Sequence, residues 1–186
     1  MEEKIAPKIE NVVSTASLGC TLDLKKISLE TNNAEYDSNK KRGLIMRISE
    51  PKSTAIIHPS GKMIITGTKS QSDSLKAANI FKDKIEKIGY KPNLKDFEIR
   101  NIVCCCNLNY KLNLSDLIKK LNKNKKGKCH YDPEQFPALT YKMNEQKISF
   151  SIFSSGKIIL RGSTEDAIIK AFNNILPLFK QLKKKE

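Results

Sequence analysis

His58-Pro59-Ser60-Gly61-Lys62-Met63-Ile64-Ile65-Thr66-Gly67 returns 95 positions later as Phe153-Ser154-Ser155-Gly156-Lys157-Ile158-Ile159-Leu160-Arg161-Gly162. In both copies Ser-Gly-Lys separates runs of β-favouring residues, and glycine supplies the positive φ that a tight hairpin needs. Each copy is therefore predicted to be strand, turn, strand. Downstream, residues 69–88 and 164–183 carry apolar residues at helical spacing. A period this long is that of a duplicated half-domain rather than of a solenoid unit.

Working outward, residues 9–18 and 99–108 are rich in β-branched side chains and read as strands. Short amphipathic helices are predicted over 22–29 and 112–121, extended pieces over 34–36 and 129–131, and strands over 44–48 and 138–143. Each repeat thus reads strand, helix, four strands, helix, with a short arm over 1–7, repeats over 8–95 and 96–186, and a linker after Gly89 and Pro92. In the first long helix Ser70 or Ser72 can cap, Asp73 sits in the opening turn, and Leu75, Ala78, Phe81, Ile85 and Ile88 share a side. In the second, Ser163 and Asp166 have capping-box spacing, Ile168, Ala171, Phe172, Ile175 and Phe179 form the stripe, and Pro177 is expected to kink it. A polar loop over 122–128 accounts for the growth of the repeat offset. Only one face of each strand is consistently apolar, so both helices of a repeat must cover that face and leave the other bare.

At 186 residues the chain can bury a core, and a single duplicated domain fits it best. The net charge of +14 divides into +6 for residues 1–95 and +8 for 96–186. Both repeats are basic, which predicts a polyanionic partner, nucleic acid before an anionic membrane surface. A basic composition without such a partner is the plain alternative. The polar, acidic start is unlike a signal peptide and no apolar run reaches the length of a span, so the cytosol or nucleus is expected. Five cysteines lack a Cys-x-x-Cys pair, which argues against a metal site or a disulfide framework and for reduced, partly buried thiols. His58 and His130 have no nucleophile or acid partner near them in sequence, and Ser-Gly-Lys lacks a P-loop's preceding glycine. Neither catalysis nor a cofactor is expected.

On the hairpin strands Met63 and Ile65 point one way, Ile64 and Thr66 the other, and Asn11, Val13 and Thr15 alternate likewise with Val12, Ser14 and Ala16. The bare face then carries Asn11, Val13, Thr54, Ile56, Ile64, Thr66, Asn101, Val103 and Ile159, with Lys40, Arg47, Lys62, Lys69, Lys142 and Lys157 as a basic frame. An apolar centre with a basic rim suits a minor groove, whose floor is uncharged and whose walls are phosphate. With no Trp and few aromatics on this face, single-stranded nucleic acid is the weaker fit.

Several motifs carry a family resemblance. They include Asn11-Val12-Val13, residues 18–24 (LGCTLDL), 33–36 (NAEY), 45–48 (IMRI), 50–52 (EPK), 60–63 (SGKM), 87–90 (KIGY), 131–137 (YDPEQFP) and 155–157 (SGK). From about Ile9 to Lys180 the chain resembles the TATA-box-binding protein family. That resemblance implies an α+β saddle of two pseudo-symmetric repeats, one curved antiparallel sheet of about ten strands with four helices on its convex face. It implies a general transcription factor that binds and bends A·T-rich promoter DNA through the minor groove and nucleates the preinitiation complex in the nucleus. Its central asparagines fall on Asn11 and Asn101, its groove-packing positions on Val13, Ile64, Val103 and Ile159, and its second-repeat wedges on Phe136 and Phe153. Asp132, Pro133 and Glu134 match the loop where transcription factor IIB docks; a solvated acidic turn is the plain alternative. Transcription factor IIA, TBP-associated factors and a DNA-free homodimer are further implied partners. The chain departs from the pattern at Lys41 and His58, which stand where the family has its first-repeat wedges, and at Arg161, which replaces a threonine. Glu10 and Arg100 replace uncharged neighbours. These departures keep open a paralogue that assembles initiation factors while binding DNA weakly.

Overall fold

The computed structural model describes residues 5–40, 43–145 and 147–183, with ten strands and four α-helices among them. The first repeat runs β1 (Lys8–Ser17), α1 (Leu24–Glu30), β2 (Ala34–Glu35), β3 (Leu44–Ser49), β4 (Lys52–Ile57), β5 (Lys62–Thr68) and α2 (Gln71–Lys87). The second runs β6 (Lys95–Asn107), α3 (Leu114–Lys123), β7 (Gly127–His130), β8 (Ala138–Met143), β9 (Ser149–Phe153), β10 (Lys157–Gly162) and α4 (Glu165–Gln181). Strand order is β2-β3-β4-β5-β1 in the first and β7-β8-β9-β10-β6 in the second, and neighbours pair antiparallel in each. The chain divides into two compact units, residues 10–101 and residues 102 onward together with those before Glu10.

The duplicated turn needs its glycine for two reasons. Gly61 has φ +81° and Gly156 φ +90°, where L side chains are strained. A Cβ on Gly61 would also run into the Cys20 carbonyl oxygen, and one on Gly156 into that of Tyr110. Both turns are held that close by two hydrogen bonds each, Leu18 N–H to the Gly61 carbonyl and Leu22 N–H to that of Pro59, both at 2.8 Å, and Leu108 N–H to the Gly156 carbonyl at 3.0 Å and Leu112 N–H to that of Ser154 at 2.9 Å.

Alternation sorts the strands as expected. Ala16, Met63 and Ile65 are buried in one cluster with Ala77, Ala78, Phe81 and Ile85 of α2, and Val12 and Ser14 of β1 are buried too. In the second repeat Ile102, Cys104, Ile158 and Leu160 are buried, as are Leu117 and Leu121 of α3 and Ile168, Phe172 and Phe179 of α4. Each large apolar side chain withdrawn this way contributes roughly 1.5–3 kcal/mol. The stripe of α2 holds at Ala78, Phe81 and Ile85, with Ile88 partly buried, but not at its first position: Leu75 is 43% exposed and Ser74 takes the inward place. There its hydroxyl meets that of Ser14 at 2.7 Å, so two polar groups are buried as a satisfied pair.

Helix starts differ in detail from the sequence reading. Ser70 caps α2, accepting from Asp73 N–H, but α4 is capped by Thr164, which accepts from Ala167 N–H, and not by Ser163. Thr164 is the extended residue immediately before the first helical one, which places its oxygen at the free amides. The helices α1 and α3 begin after Asp23 and Asn113, two residues later than the apolar spacing suggests, because Leu22 and Leu112 are buried without being helical. The expected 122–128 loop shrinks to 124–126, its ends absorbed by α3 and β7. Helix α4 continues through Pro177 to Gln181.

Candidate nucleic-acid interface

In the first repeat the open face is built of cross-strand rows. One row is Ile45, Ile56, Ile64 and Thr15; the next is Arg47, Thr54 and Thr66, with Asn11 bonded to its end. Every one of these side chains is partly or fully exposed, while their strand neighbours are mostly buried. In the second repeat the corresponding rows are Thr140, Ser151, Ile159 and Cys105, and then Lys128, Lys142, Ser149, Arg161 and Val103. Lys62 pairs with Ser17, and Lys157 with Asn107, at the turn end of the same faces.

Asn11 has the most constrained polar side chain of the first face. The pairing of β1 with β5 slips between Val12↔Thr68 and Ser14↔Ile65, so β5 carries one extra residue and Gly67 takes φ +104°. A bulge of this kind releases a backbone N–H from the ladder. That N–H, of Gly67, donates to Asn11 Oδ1 at 2.7 Å, and Thr66 Oγ1 donates to the same oxygen at 3.2 Å. The carboxamide oxygen is thus occupied from inside the repeat, and the amide hydrogens remain for a partner. Asn101 holds the matching, half-exposed position on β6, but the register of β10 on β6 is unbroken from Lys157↔Asn107 to Gly162↔Ile102.

Phe136 and Phe153 come together. Their ring centroids lie 6.2 Å apart at 64°, an edge-on pair, and Phe136 is 47% exposed. Phe136 is set by a turn in which its N–H donates to the Asp132 carbonyl at 2.9 Å and Glu134 N–H donates to Asp132 Oδ1 at 3.1 Å. Asp132 therefore builds the turn, and Pro133 and Glu134 are its exposed crest. In the first repeat the equivalent turn is held by Asp37, which accepts from Asn39 and Lys40 N–H and lies 3.3 Å from Lys40 Nζ. Lys41 lies outside the described residues. His58, half-exposed, comes immediately after β4, whereas Phe153 is the last residue of β9, and the His58 backbone closes the hairpin turn with Gly61 and Lys62.

The basic frame is uneven. Arg47 is paired to Glu35 at 2.8 Å, Lys69 to Glu10 at 3.4 Å and Lys40 to Asp37, all exposed contacts contributing about 0–1 kcal/mol each. Lys62, Lys142 and Lys157 form no ion pair among the described residues. Ile45, Thr140 and Ser151 belong to the face although the sequence reading passed over them; carrying the alternation through β3, β8 and β9 finds them. Arg100 was also missed as a face residue: its Nε donates to Thr15 Oγ1 at 3.0 Å and its Nη2 lies 3.0 Å from Glu98. No periodicity finds it, since alternation groups it with buried Ile102.

Among the described residues no group of His, Cys, Asp and Glu could hold a metal ion, and no helix is long and apolar enough to cross a membrane. The cysteines form no disulfide among the described residues, and burial pushes the thiol of Cys106 up to about 12 and those of Cys104 and Cys129 to about 11, so those three stay protonated at neutral pH.

A family model described as transcription factor TFIID (or TATA-binding protein, TBP) matches residues 6–88 and again 96–182. The chain belongs to the TATA-binding protein family. Among similar proteins, the TATA-box-binding protein of Acanthamoeba castellanii is 44% identical over 181 residues, 97% of this chain and 69% of that protein. The TATA-box-binding protein of Acetabularia peniculus is 41% identical over 182 residues, 97% of this chain and 93% of that one. Of solved structures, Methanococcus jannaschii TBP is similar with a TM-score of 0.81 at 31% identity, over 95% of this chain and 99% of that chain. The α+β fold of two repeats expected from the sequence is thus that of the TBP family.

Proposed function

We propose that the open faces bind A·T-rich, TATA-type duplex DNA in the minor groove, bend it, and so make the protein a general transcription factor that nucleates preinitiation complexes in the nucleus. The observation that carries this is the Asn11 clamp. A carboxamide whose oxygen is tied down by Gly67 and Thr66 offers only N–H groups from a face of Val13, Ile56 and Ile64. Adenine N3 and thymine O2 are the acceptors that the floor of an A·T groove presents. Asn101, Val103 and Ile159 give the second repeat a related surface, and Thr15 and Thr54 widen the first. Lys62, Lys142 and Lys157, with the paired Lys40, Arg47 and Lys69, supply cations for the phosphate walls.

Bending follows from the Phe136–Phe153 pair. Wedging a base step apart costs a few kcal/mol, which exposed aromatic rings offset and a lysine does not. With His58 and Lys41 at the first-repeat wedge positions, the kink is strongest at the end of the site facing Phe136. The exposed crest at Pro133 and Glu134, set by Asp132, suits a docking factor such as transcription factor IIB; transcription factor IIA, TBP-associated factors and a DNA-free homodimer are partners of the same reading. The test is fluorescence transfer across an A·T-rich duplex. Changing Phe136 and Phe153 together to Ala is expected to remove most of the bend while the fold, followed by circular dichroism, persists. An unchanged bend would overturn the wedge assignment, and equal affinity for G·C-rich duplex would overturn the groove assignment.

A further inference from the structure

On the minor-groove reading above, we infer that the second repeat holds a further DNA-binding site at its β7 edge. Lys123, Lys125, Lys126 and Lys128 grip the phosphates of the duplex that flanks the A·T-rich site, and the first repeat has no counterpart. Residues 117–131, from buried Leu117 to Tyr131, carry six lysines and no acidic residue. The equivalent stretch of the first repeat, 27–36 from buried Ile27 to Tyr36, is five residues shorter and carries Glu30 and Glu35 with no base. The same part of the fold is thus +6 in one repeat and −2 in the other.

The fold sets these charges in line with the open face. Lys128 lies opposite Lys142, and the row runs on through Ser149 and Arg161 to Val103, from β7 across to β6. Four strand spacings of about 4.8 Å make that row about 19 Å long, the length of about six base pairs at about 3.4 Å each. A duplex followed outward along it next meets the connection before β7. There Asn124 N–H donates to the Lys120 carbonyl at 3.3 Å, and Lys125, at φ +49°, turns the chain out of α3. The Lys126 carbonyl accepts from Asn144 N–H at 3.2 Å, which ties the connection to the end of β8. The backbone is held at both ends while Lys123, Lys125, Lys126 and Lys128 stay exposed, with no ion pair among the described residues. Lys119 and Lys120 are engaged already, with Asp116 and Gln181. Two observations make DNA the occupant. Residues 117–131 expose no large apolar side chain that a protein partner could bury. Phe136, in the connection from β7 to β8, kinks the duplex at this same edge on the reading above, so the flank leaves the site beside the lysines.

The test uses the whole chain and short duplexes holding one A·T-rich site, either blunt at both ends or extended by about ten base pairs, one helical turn, at one end or both. Because the chain can turn round on the site, the second repeat takes a single extension. Affinity should rise at least about 10-fold and the slope of log affinity against log salt steepen by about two to three, whereas a second extension adds no more than about 2-fold. Changing Lys123, Lys125 and Lys126 together to Gln should leave the blunt duplex bound within about 3-fold and cut the gain from an extension to less than about 3-fold. Circular dichroism melts guard against a folding effect. A gain that the triple variant keeps overturns the inference and leaves the cluster to an acidic protein segment. A second extension worth as much as the first overturns it too, as does an equal loss on blunt and extended duplexes, which would put the lysines on the site itself. Each of these leaves the preference for A·T standing. No preference between A·T-rich and G·C-rich blunt duplexes overturns the groove reading instead.

Discussion

Ser14 and Ser74 show how a single pair of small residues can matter inside an apolar layer. Their hydroxyls, 2.7 Å apart, satisfy each other between β1 and α2, where both residues are fully buried. Removing one leaves the other without its partner, at a cost of about 1–3 kcal/mol, whereas removing both leaves nothing unsatisfied. Urea denaturation of Ser14→Ala, Ser74→Ala and the double variant should therefore give a double variant clearly less destabilised than the sum of the singles; simple additivity would rule out the coupling. Leu75, taken from its helical spacing as a core residue, is instead outside, and this serine pair explains the swap. Spacing alone cannot choose between positions 74 and 75, because the apolar choice is the leucine, and only packing against Ser14 makes a serine the inward residue.

Among elements, the long helices are the best test of what fixes a boundary. Ser163 with Asp166 and Thr164 with Ala167 are one residue apart as capping candidates, and only the second pair is bonded. Thr164→Ala should cost about 1 kcal/mol of stability in thermal or urea unfolding, and Ser163→Ala less than about 0.5. The reverse order would move the start of α4. Apart from β6, which begins four residues before the expected 99, the strands were legible to within a residue or two because alternation of β-branched side chains registers both faces at once, so β3, β4, β5 and β10 could be placed from their apolar residues. The bulge at Thr66-Gly67 was not legible. Both repeats carry a glycine at or next to the end of the strand, and nothing in Thr66-Gly67 against Arg161-Gly162 tells that the first takes φ +104° while the second stays in register. As a result the position of Asn11 on the face could be read from sequence, but its fixed donor direction could not.

At the scale of the whole chain, the charge of +14 is a poor guide to which cations meet a polyanion. Half of the predicted frame, Lys40, Arg47 and Lys69, already has a carboxylate beside it, and among the described residues Lys62, Lys142 and Lys157 do not. Neutralising Lys157 should weaken binding to all duplexes alike and lower the slope of log affinity against log salt by about one. The same change at Lys69 should lower it by less, since Glu10 shares that charge; equal slopes for the two variants would mean that the pair opens on binding. The repeat and its face assignment came from composition and period, which are properties of the chain. The pairing of particular charges came only from the fold, because Glu35 and Arg47, or Glu10 and Lys69, are brought together by strand neighbours that no sequence spacing announces.

Cys104 is 1% exposed on β6, and its thiol, held protonated by burial, has a half-exposed neighbour at Cys105. A disulfide reagent should therefore reach the sulfur of Cys104 only when the strand lifts. The chain thus contains its own stopwatch for the opening of β6, readable without attaching a probe.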